Sequence, residues 1–444
     1  MITITSQILA WLLKLLPACI ARQCAIANNL ADGNYAVGQN LATLQLLVDV
    51  SVIYQNDART GIQRVVRALF LQLLNAPPAG YVVRPIFATA QYGYRYASVD
   101  FLDQLTPPTE TASQLIQGQQ GDIFLGLDLV AHLIPRHQSQ ILQLKRAGVK
   151  VHVIVYDLLP LQHPEWFNHK TTRNFKRWIK WLAVYADSAV CISETVKLEL
   201  TTWLQVKFTL PLGSLPTSTI VLGADIQASA PSEGLPPNAE FLLARMRNMP
   251  SVLVVGTLEP RKGHDQVLAA FEQLWQQQGN IPLLVMVGRP GWKTESLQTQ
   301  LRTHSQIGNK LFWFEDASDE LLDRLYAACS GVLVASRAEG FGLPLIEAAL
   351  HAKPVLARDI PVFRETEVPG VSYFNDRTAH NLAKAITNWL ATPNPHKLIA
   401  GDLRLPTWQL SAMQLVDAIG LSNNAENLIP STTSSNYRYP GGTA

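Results

Sequence analysis

One segment near residue 340 combines two carboxylates with a glycine-containing loop. The sequence ASRAEGFGLPLIE (335–347) is typical of a strand end, a loop and the first turn of a helix, where proline is tolerated. Gly340 and Gly342 would let backbone N–H groups approach a ligand, and the helix N-terminus would attract a phosphate. Glu339 and Glu347 would accept hydrogen bonds from hydroxyl groups, as sugars and ribose supply. Alternatively, Glu347 complements the helix dipole and Glu339 is a solvated loop residue.

A second segment brings two cations to a similar position. VGTLEPRKG (255–263) follows an apolar run typical of a strand, and Gly263 would begin the next helix. Arg261 could bind a phosphate through two nitrogens, and Lys262 could bind it as a point charge. Together they could neutralise a diphosphate leaving group without a metal ion. On its own, this motif could also be a solvated basic turn.

The elements that must position these segments are short apolar strands alternating with helices. The chain predicts strands at 44–50, 81–87, 122–126, 150–156, 188–192, 219–222, 251–256, 282–288, 311–314, 331–335, 354–357 and 371–374. This alternation predicts an α/β protein with parallel sheets covered on both faces. A stretch rich in Pro, Ser and Gly interrupts it, so we predict two Rossmann-like domains facing across a cleft, where ligands bind at strand ends.

The predicted organisation has five parts. They are an N-terminal leader with an amphipathic helix (1–40), a first domain (41–226), a linker (227–248), a second domain (249–421) and a disordered tail (422–444). The leader contains ILAWLLKLLPACI (8–20), which is too short and too interrupted to span a membrane. It either packs on the protein body or lies on a membrane surface. The segment FKRWIKWL (175–182) could likewise meet anionic lipid, or pack as a core face.

Composition excludes several classes of protein. The 444 residues are 48% hydrophobic and 16% charged, which excludes a disordered chain, a coiled coil and a fibre. A net charge of +2 is too balanced for nucleic-acid binding. The four cysteines show no metal-binding spacing and are typical of a reducing compartment. There is no Walker A motif and no GxGxxG, which argues against an NAD enzyme. We therefore expect a cytoplasmic protein, which is either free in the cytoplasm or peripheral on the inner face of the cytoplasmic membrane.

Several motifs together resemble one known family. The pair Glu339 and Glu347, with seven residues between, is similar to the E-x7-E motif of the retaining GT-B glycosyltransferases of family 4, and EPRKG is similar to their diphosphate-binding loop. Four first-domain segments also resemble this family: GIQRV (61–65), GDIFLGLDL (121–129), YDLLPLQHPEWF (156–167) and ADSAVCIS (186–193). The resemblance covers about residues 44–420. The segments 121–129, 156–167 and 186–193 resemble those of members that build bacterial O-antigens and other surface polysaccharides, often mannosyltransferases.

The resemblance implies a role for each donor-side residue. Glu347 would bind the ribose hydroxyls of a nucleotide-sugar and Glu339 those of its sugar, while Arg261 and Lys262 would bind the diphosphate. Backbone donors to phosphate and sugar would come from Gly340, Phe341, Gly342 and Leu343. Many family members place Arg straight after the glycine of the first-strand loop, where this chain has Gly256 and Thr257. Binding of the phosphate would therefore depend more heavily on Arg261 and Lys262.

The implied acceptor side belongs to the first domain. Gly61 begins the loop-helix motif, and Asp157 is a predicted sugar contact. Many members carry His before this Asp, whereas this chain has Tyr156. His163 lies close in sequence and is either an acceptor-side or a structural residue. Trp292 could border the donor site or simply pack.

The resemblance implies a retaining, metal-independent enzyme without a cofactor. It would transfer a hexose, with mannose as the first expectation, from a nucleotide-diphosphate sugar to a glycan or lipid-linked acceptor. Two rivals remain. One is a GT-B sugar-nucleotide epimerase, for which no acid/base pair is recognisable. The other is a non-catalytic binding protein, suggested by Tyr156 and Thr257.

Overall fold

A computed structural model describes residues 2–31, 43–102, 114–225, 231–277, 281–392 and 405–422 of the chain. The predicted residues 32–40 of the leader and nearly all of the predicted tail (423–444) lie outside the described residues. Among the helices of this described part, none is long and apolar enough to cross a membrane.

The first domain is built on a seven-stranded sheet. Its strands are β1 (Leu44–Asp49), β2 (Tyr81–Phe87), β3 (Arg95–Tyr96), β4 (Ile123–Gly126), β5 (Lys150–Val155), β6 (Ser188–Cys191) and β7 (Thr217–Thr219). The strand order is β3-β2-β1-β4-β5-β6-β7, and only β3 runs antiparallel to its neighbour. The inner strands are almost wholly buried, as expected for a parallel sheet with helices on both faces.

Helices cover this sheet, and side chains fix where three of them begin. They are α1 (Ile2–Leu15), α2 (Ala18–Ala31), α3 (Ser51–Gln55), α4 (Gly61–Asn75), α5 (Gln138–Arg146), α6 (Leu159–Gln162), α7 (His169–Tyr185) and α8 (Glu194–Phe208). Thr60 and Gln63 form a capping box at α4, Asn168 caps α7 and Ser193 caps α8. These caps define the cleft-facing ends of the helices.

The second domain has a six-stranded, wholly parallel sheet. Its elements are α9 (Ala239–Asn248), β8 (Ser251–Val255), α10 (His264–Trp275), β9 (Leu283–Val287), α11 (Glu295–Thr303), β10 (Leu311–Phe314), α12 (Asp319–Ala328), β11 (Gly331–Val334), α13 (Leu343–Leu350), β12 (Val355–Arg358), α14 (Pro361–Glu365), β13 (Val371–Phe374) and α15 (Ala379–Ala391). The strand order is β10-β9-β8-β11-β12-β13. The predicted α/β class with two parallel sheets is therefore confirmed.

The ends of the predicted second domain differ from the structure. Helix α9, which the sequence analysis placed in the linker, packs its apolar face into the core of the second domain. The last helix, α16 (Trp408–Ala418), returns to the first domain although it was assigned to the second. Trp408 is buried there, and its indole N–H donates to the Asp225 carbonyl at 2.9 Å. An amphipathic pattern shows that a helix needs a core but not which domain supplies it.

Two smaller predictions also need correction. The strand predicted at 219–222 is observed at Thr217–Thr219, because the pairing with β6 ends there. The short strand β3 has no run of apolar residues and was not predicted.

The leader helices pack on the first domain. Arg22 on α2 is buried, and its guanidinium donates to the carbonyl oxygens of Ala183, Ala186 and Ser214 at 2.8–3.0 Å. Ala10 and Leu13 of α1 are buried in the same core. Of the two alternatives for this segment, packing on the protein body is observed for α1 and α2.

Candidate active site

A cavity of about 730 Å³ lies between the two domains, at the carboxyl ends of their strands. The structure brings nearly all predicted site residues to its wall: Gly61, Tyr156, Asp157, Gly256, Thr257, Arg261, Lys262, Glu339, Gly340, Phe341, Gly342, Leu343 and Glu347.

His163 is the exception. Its ring stacks on Trp166 with 3.9 Å between centroids, and its Nδ1 lies 3.1 Å from Glu165. It does not line the cavity, so the sequence-based placement of His163 at the acceptor side is not observed. His163 is close in sequence to Tyr156 and Asp157, but stacking on Trp166 holds its ring away from the cavity.

The predicted cations and one predicted carboxylate form a single charge cluster. Arg261 and Lys262 lie on a short 3₁₀ turn (Pro260–Lys262), and Gly263 adopts the left-handed conformation (φ +72°) to enter α10. The Lys262 ammonium donates to Glu339 Oε1 at 2.5 Å, and Arg261 Nη1 pairs with Glu339 Oε2. Glu339 follows β11, the strand beside β8, so the two loops meet at one sheet edge.

The protonation of this cluster follows from its charges. Burial alone would raise the pKa of the Glu339 carboxyl, but the nearby Arg261 and Lys262 lower it to about 2. Glu339 is therefore ionised throughout the physiological range. Burial likewise disfavours the charged guanidinium of Arg261, but the carboxylates of Glu339, Glu259 and Asp157 raise its pKa. Arg261 Nε donates to Glu259 Oε2 at 2.7 Å.

Asp157 reaches this cluster from the first domain. Its carboxyl accepts a hydrogen bond from the backbone N–H of Leu159 at 3.1 Å. Burial raises the pKa of Asp157 to about 6, although the charge of Arg261 opposes that shift. The Asp157 carboxyl therefore titrates closer to neutral pH than an ordinary aspartate does.

Glu347 is buried inside α13, and both its oxygens already have partners. Its side chain is 2% exposed, Tyr326 donates its hydroxyl hydrogen to Oε2 at 2.6 Å, and Arg64 pairs with Oε1 from across the cleft. Arg64 Nη2 also donates to Asp319 at 2.9 Å. The sequence analysis did not assign Arg64, Tyr326 or Asp319 to the site. The signal for Arg64 was available in the GIQRV segment, whereas nothing in the sequence pairs Tyr326 with Glu347.

Close packing requires glycine at position 340, whereas the positive φ favours glycine at position 256. A methyl group at Gly340 would overlap the carbonyl oxygen of Tyr156, and Ser193 Oγ donates to the Gly340 carbonyl at 2.8 Å. The loop of the second domain thus touches the first. At Gly256 (φ +143°), a methyl group would lie 3.3 Å from Lys262 Nζ. Glycine there leaves room for the ammonium over the end of β8.

A second cross-cleft contact lies near Trp292. Its indole N–H donates to the Trp166 carbonyl at 2.8 Å, and its ring lies 5.8 Å from that of Phe167. The neighbouring Lys293 ammonium donates to the Glu165 carbonyl at 2.7 Å. Trp292 is therefore at the cavity rim, where it joins the two domains.

The described ranges contain no group of three or more His, Cys, Asp or Glu side chains arranged to hold a metal ion.

Comparisons with known proteins agree with this architecture. Residues 243–400 match the family described as glycosyl transferases group 1. The chain is 42% identical over 383 residues to the serotype-specific mannosyltransferase WbdA of Escherichia coli, a match that covers 85% of this chain and 47% of that protein. The chain thus spans about half the length of this relative.

Solved structures share the fold at low sequence identity. The Anabaena protein HepE, in complex with UDP, has a TM-score of 0.53 and 16% identity over 85% of this chain and 97% of that one. Sucrose-phosphate synthase from Thermosynechococcus elongatus has a TM-score of 0.57 and 17% identity over 85% of this chain and 98% of that one. Residues 243–400 are therefore similar to the glycosyl transferases group 1, and the two domains of the chain together have the GT-B fold.

Proposed function

We propose that this chain is a retaining, metal-independent glycosyltransferase. It transfers a hexose, with mannose as the first candidate, from a nucleotide-diphosphate sugar to a glycan or lipid-linked acceptor. The likeness to a mannosyltransferase over 85% of the chain supports mannose and a role in surface polysaccharide biosynthesis. The reaction takes place at the cytoplasmic face of the membrane and involves neither nucleic acid nor a cofactor.

The observation that carries this proposal is the cluster of Arg261, Lys262 and Glu339 at the edge of the cavity. In the structure both cations pair with Glu339. A donor diphosphate would compete with that carboxylate for the two cations. As the bond to the sugar breaks, negative charge grows on the departing diphosphate. Cations already fixed at that position stabilise the transition state more than the ground state.

Glu339 acts on the other part of the donor. When the diphosphate binds, it replaces Glu339 in part of the pairing with Arg261 and Lys262. The carboxylate oxygens of Glu339 can then accept hydrogen bonds from the sugar hydroxyls. Its low pKa keeps it ionised, so its charge also favours a sugar ring that gains positive charge. Backbone groups of residues 340–343 bind the phosphates and sugar at the start of α13.

Glu347 binds the ribose. Tyr326 fixes its Oε2, and Oε1 faces Arg64 across the cavity. Each carboxylate oxygen has two lone pairs, so Glu347 can accept ribose hydroxyls while one partner remains. Gly256 and Thr257 line the donor pocket beside the cations.

The first domain binds the acceptor. Gly61, Tyr156 and Asp157 line the opposite wall of the cavity. Asp157 is placed to contact a sugar hydroxyl beside Arg261. Retention of anomeric configuration is compatible with front-face attack, in which the acceptor approaches from the side of the departing diphosphate.

The test is a panel of nucleotide-sugars, beginning with GDP-mannose, incubated with the full chain and mannose-terminated oligosaccharides. Release of nucleoside diphosphate together with a longer oligosaccharide, whose new linkage keeps the donor's anomeric configuration by NMR, is the expected result. Isomerised donor without transfer would instead identify an epimerase. Donor binding without any turnover would identify a non-catalytic binding protein.

A further inference from the structure

The leader helices carry an apolar face that points away from the protein. While Leu13 and Ala10 are buried against the first domain, Trp11 is 59% exposed and Leu15 65% exposed. Ile8, Leu12 and Ile20 are also exposed. We define these five exposed side chains, Ile8, Trp11, Leu12, Leu15 and Ile20, as the outer apolar face. Adjacent exposed residues of this size on one surface are typical of an interaction site.

A row of basic side chains on α7 lies beside this face. The Lys180 ammonium donates to the carbonyl oxygens of Lys14 and Leu16 at 2.7 and 2.8 Å, which fixes the end of α1 against the middle of α7. Lys176 and Arg177 lie one helical turn before Lys180, and both are exposed. Arg173 is exposed one turn earlier. The basic row therefore leads away from the end of α1 along the same side of α7.

The charge of this surface has one sign. Neither the leader helices (2–31) nor α7 contains a single Asp or Glu. The whole chain has nearly equal numbers of acidic and basic residues, 34 against 36, so this distribution is local. An apolar face beside basic side chains is complementary to an anionic lipid surface, where apolar groups enter the interface and cations meet phosphates. A protein partner would need an acidic rim around an apolar centre.

We propose that the outer apolar face and the basic row on α7 together dock the protein on a bilayer containing anionic phospholipids. Trp11 enters the interfacial region, where its ring is favoured. Arg173, Lys176 and Arg177 lie over the lipid phosphates.

The same helix connects this surface to the cleft. Lys170, Thr171 and Asn174, at the beginning of α7, line the cavity between the domains. A docked protein therefore has its cleft within one helix length of the bilayer surface. This explains how an acceptor attached to a lipid would reach the site, a use that rests on the proposed function, whereas the docking itself does not.

The experiment is co-sedimentation of the full chain with vesicles of phosphatidylcholine alone or mixed with phosphatidylglycerol. We expect the wild type to bind the mixed vesicles, with affinity falling as salt rises. Trp11→Ser/Leu15→Ser should weaken that binding at least about tenfold, because two large apolar side chains no longer enter the interface. Lys176→Gln/Arg177→Gln should weaken it about tenfold on mixed vesicles and leave any binding to neutral vesicles unchanged.

Phe241→Ser is the matched control. Phe241 is an aromatic residue that is 66% exposed on α9 of the second domain, so its loss should leave vesicle binding unchanged. Melting temperatures of all variants check that they fold. Nucleoside diphosphate release with a soluble acceptor should be the same in Trp11→Ser/Leu15→Ser as in wild type. If no donor is turned over but vesicle binding behaves as described, the proposed function fails and the docking surface stands.

Three results would overturn the docking proposal. The first is wild-type protein that stays in solution with both kinds of vesicle. The second is a Trp11→Ser/Leu15→Ser variant that binds the mixed vesicles as well as wild type does. The third is a wild-type dimer by light scattering that Trp11→Ser/Leu15→Ser converts to a monomer, which would show that a second copy covers the outer apolar face.

Discussion

The charged groups on the second-domain edge of the cleft come from two short segments and pair with one another, whereas those on the first-domain edge pair across the cleft. Arg261, Lys262 and Glu339 belong to neighbouring loops of one sheet. Arg64 instead pairs with Glu347 and Asp319 of the other domain. The ion pairs of the second-domain edge therefore form within one domain. Those of the first-domain edge form only when the two domains are in contact.

This difference predicts which substitutions change catalysis and which change stability or domain closure. Substitutions within the second-domain cluster should change donor turnover with little effect on stability. Substitutions of residues that reach across the cleft should change stability or domain closure. The predictions below test that separation.

The largest expected effect is on stability, from Arg64→Ala. It leaves the buried Glu347 carboxylate with Tyr326 but without its cation, and breaking a buried pair in this way costs about 3 kcal/mol or more. The measurement is the free energy of unfolding. Arg59→Ala is the matched control, because Arg59 is 44% exposed and lies 3.4 Å from Asp319. It should cost less than about 1 kcal/mol. If both variants lose the same free energy of unfolding, the pairing of Arg64 with the buried Glu347 does not stabilise the protein as we expect.

Lys262→Ala should lower kcat about 10²-fold or more, because a fixed charge opposite the leaving diphosphate is lost. Its melting temperature should change little. Lys384→Ala, which removes an exposed cation from α15 of the second domain, is the control and should keep near-normal kcat. Near-normal turnover in Lys262→Ala would remove Lys262 from the site.

Asp157→Asn should change the pH dependence of stability. The pKa of Asp157 is about 6 in the folded protein against a usual 3.8, so the folded state binds the proton more tightly. Its contribution to stability is therefore lost as pH rises from about 4 to about 6. The variant should be more stable than wild type by up to about 3 kcal/mol at neutral pH and by little near pH 4.

Thermal unfolding across this pH range provides the measurement for Asp157. Asp316→Asn is the control, because that carboxylate is 79% exposed at the same cleft. A stability difference that is independent of pH would contradict the burial argument for Asp157.

Substitution of the two glutamates should change different kinetic constants, each by roughly tenfold. Ribose does not change during reaction, so Glu347→Ala should raise the donor KM with a smaller effect on kcat. The sugar ring does change, so Glu339→Ala should lower kcat more than it raises KM. Glu339→Gln should be milder if positioning matters more than charge. The opposite pattern in steady-state kinetics would reverse the two assignments.

Removal of metal should have the smallest effect, which is none. Arg261, Lys262 and the start of α13 are proposed to replace a divalent cation, so activity should survive excess EDTA. Complete loss with EDTA that Mn²⁺ or Mg²⁺ restores would contradict this account of leaving-group stabilisation.

The comparison of the two edges also explains which features of the fold and the site could be predicted from the sequence. The segments 255–263 and 335–347 were recognisable because their glycines, cations and carboxylates lie close together along the chain. Most strands were also predictable from short apolar runs. The pairing of Arg64 with Glu347 was not, because it joins residues 283 positions apart through the closure of two domains. The return of α16 to the first domain and the outward turn of His163 depend in the same way on tertiary contacts.

The most direct test of the central claim is a crystal structure of the chain with bound GDP. The account predicts that the β-phosphate lies within about 3 Å of Lys262 Nζ and the Arg261 guanidinium, at the start of α13, with the Lys262–Glu339 pair opened. A nucleotide bound elsewhere in the cleft, with both cations still paired to Glu339, would contradict it.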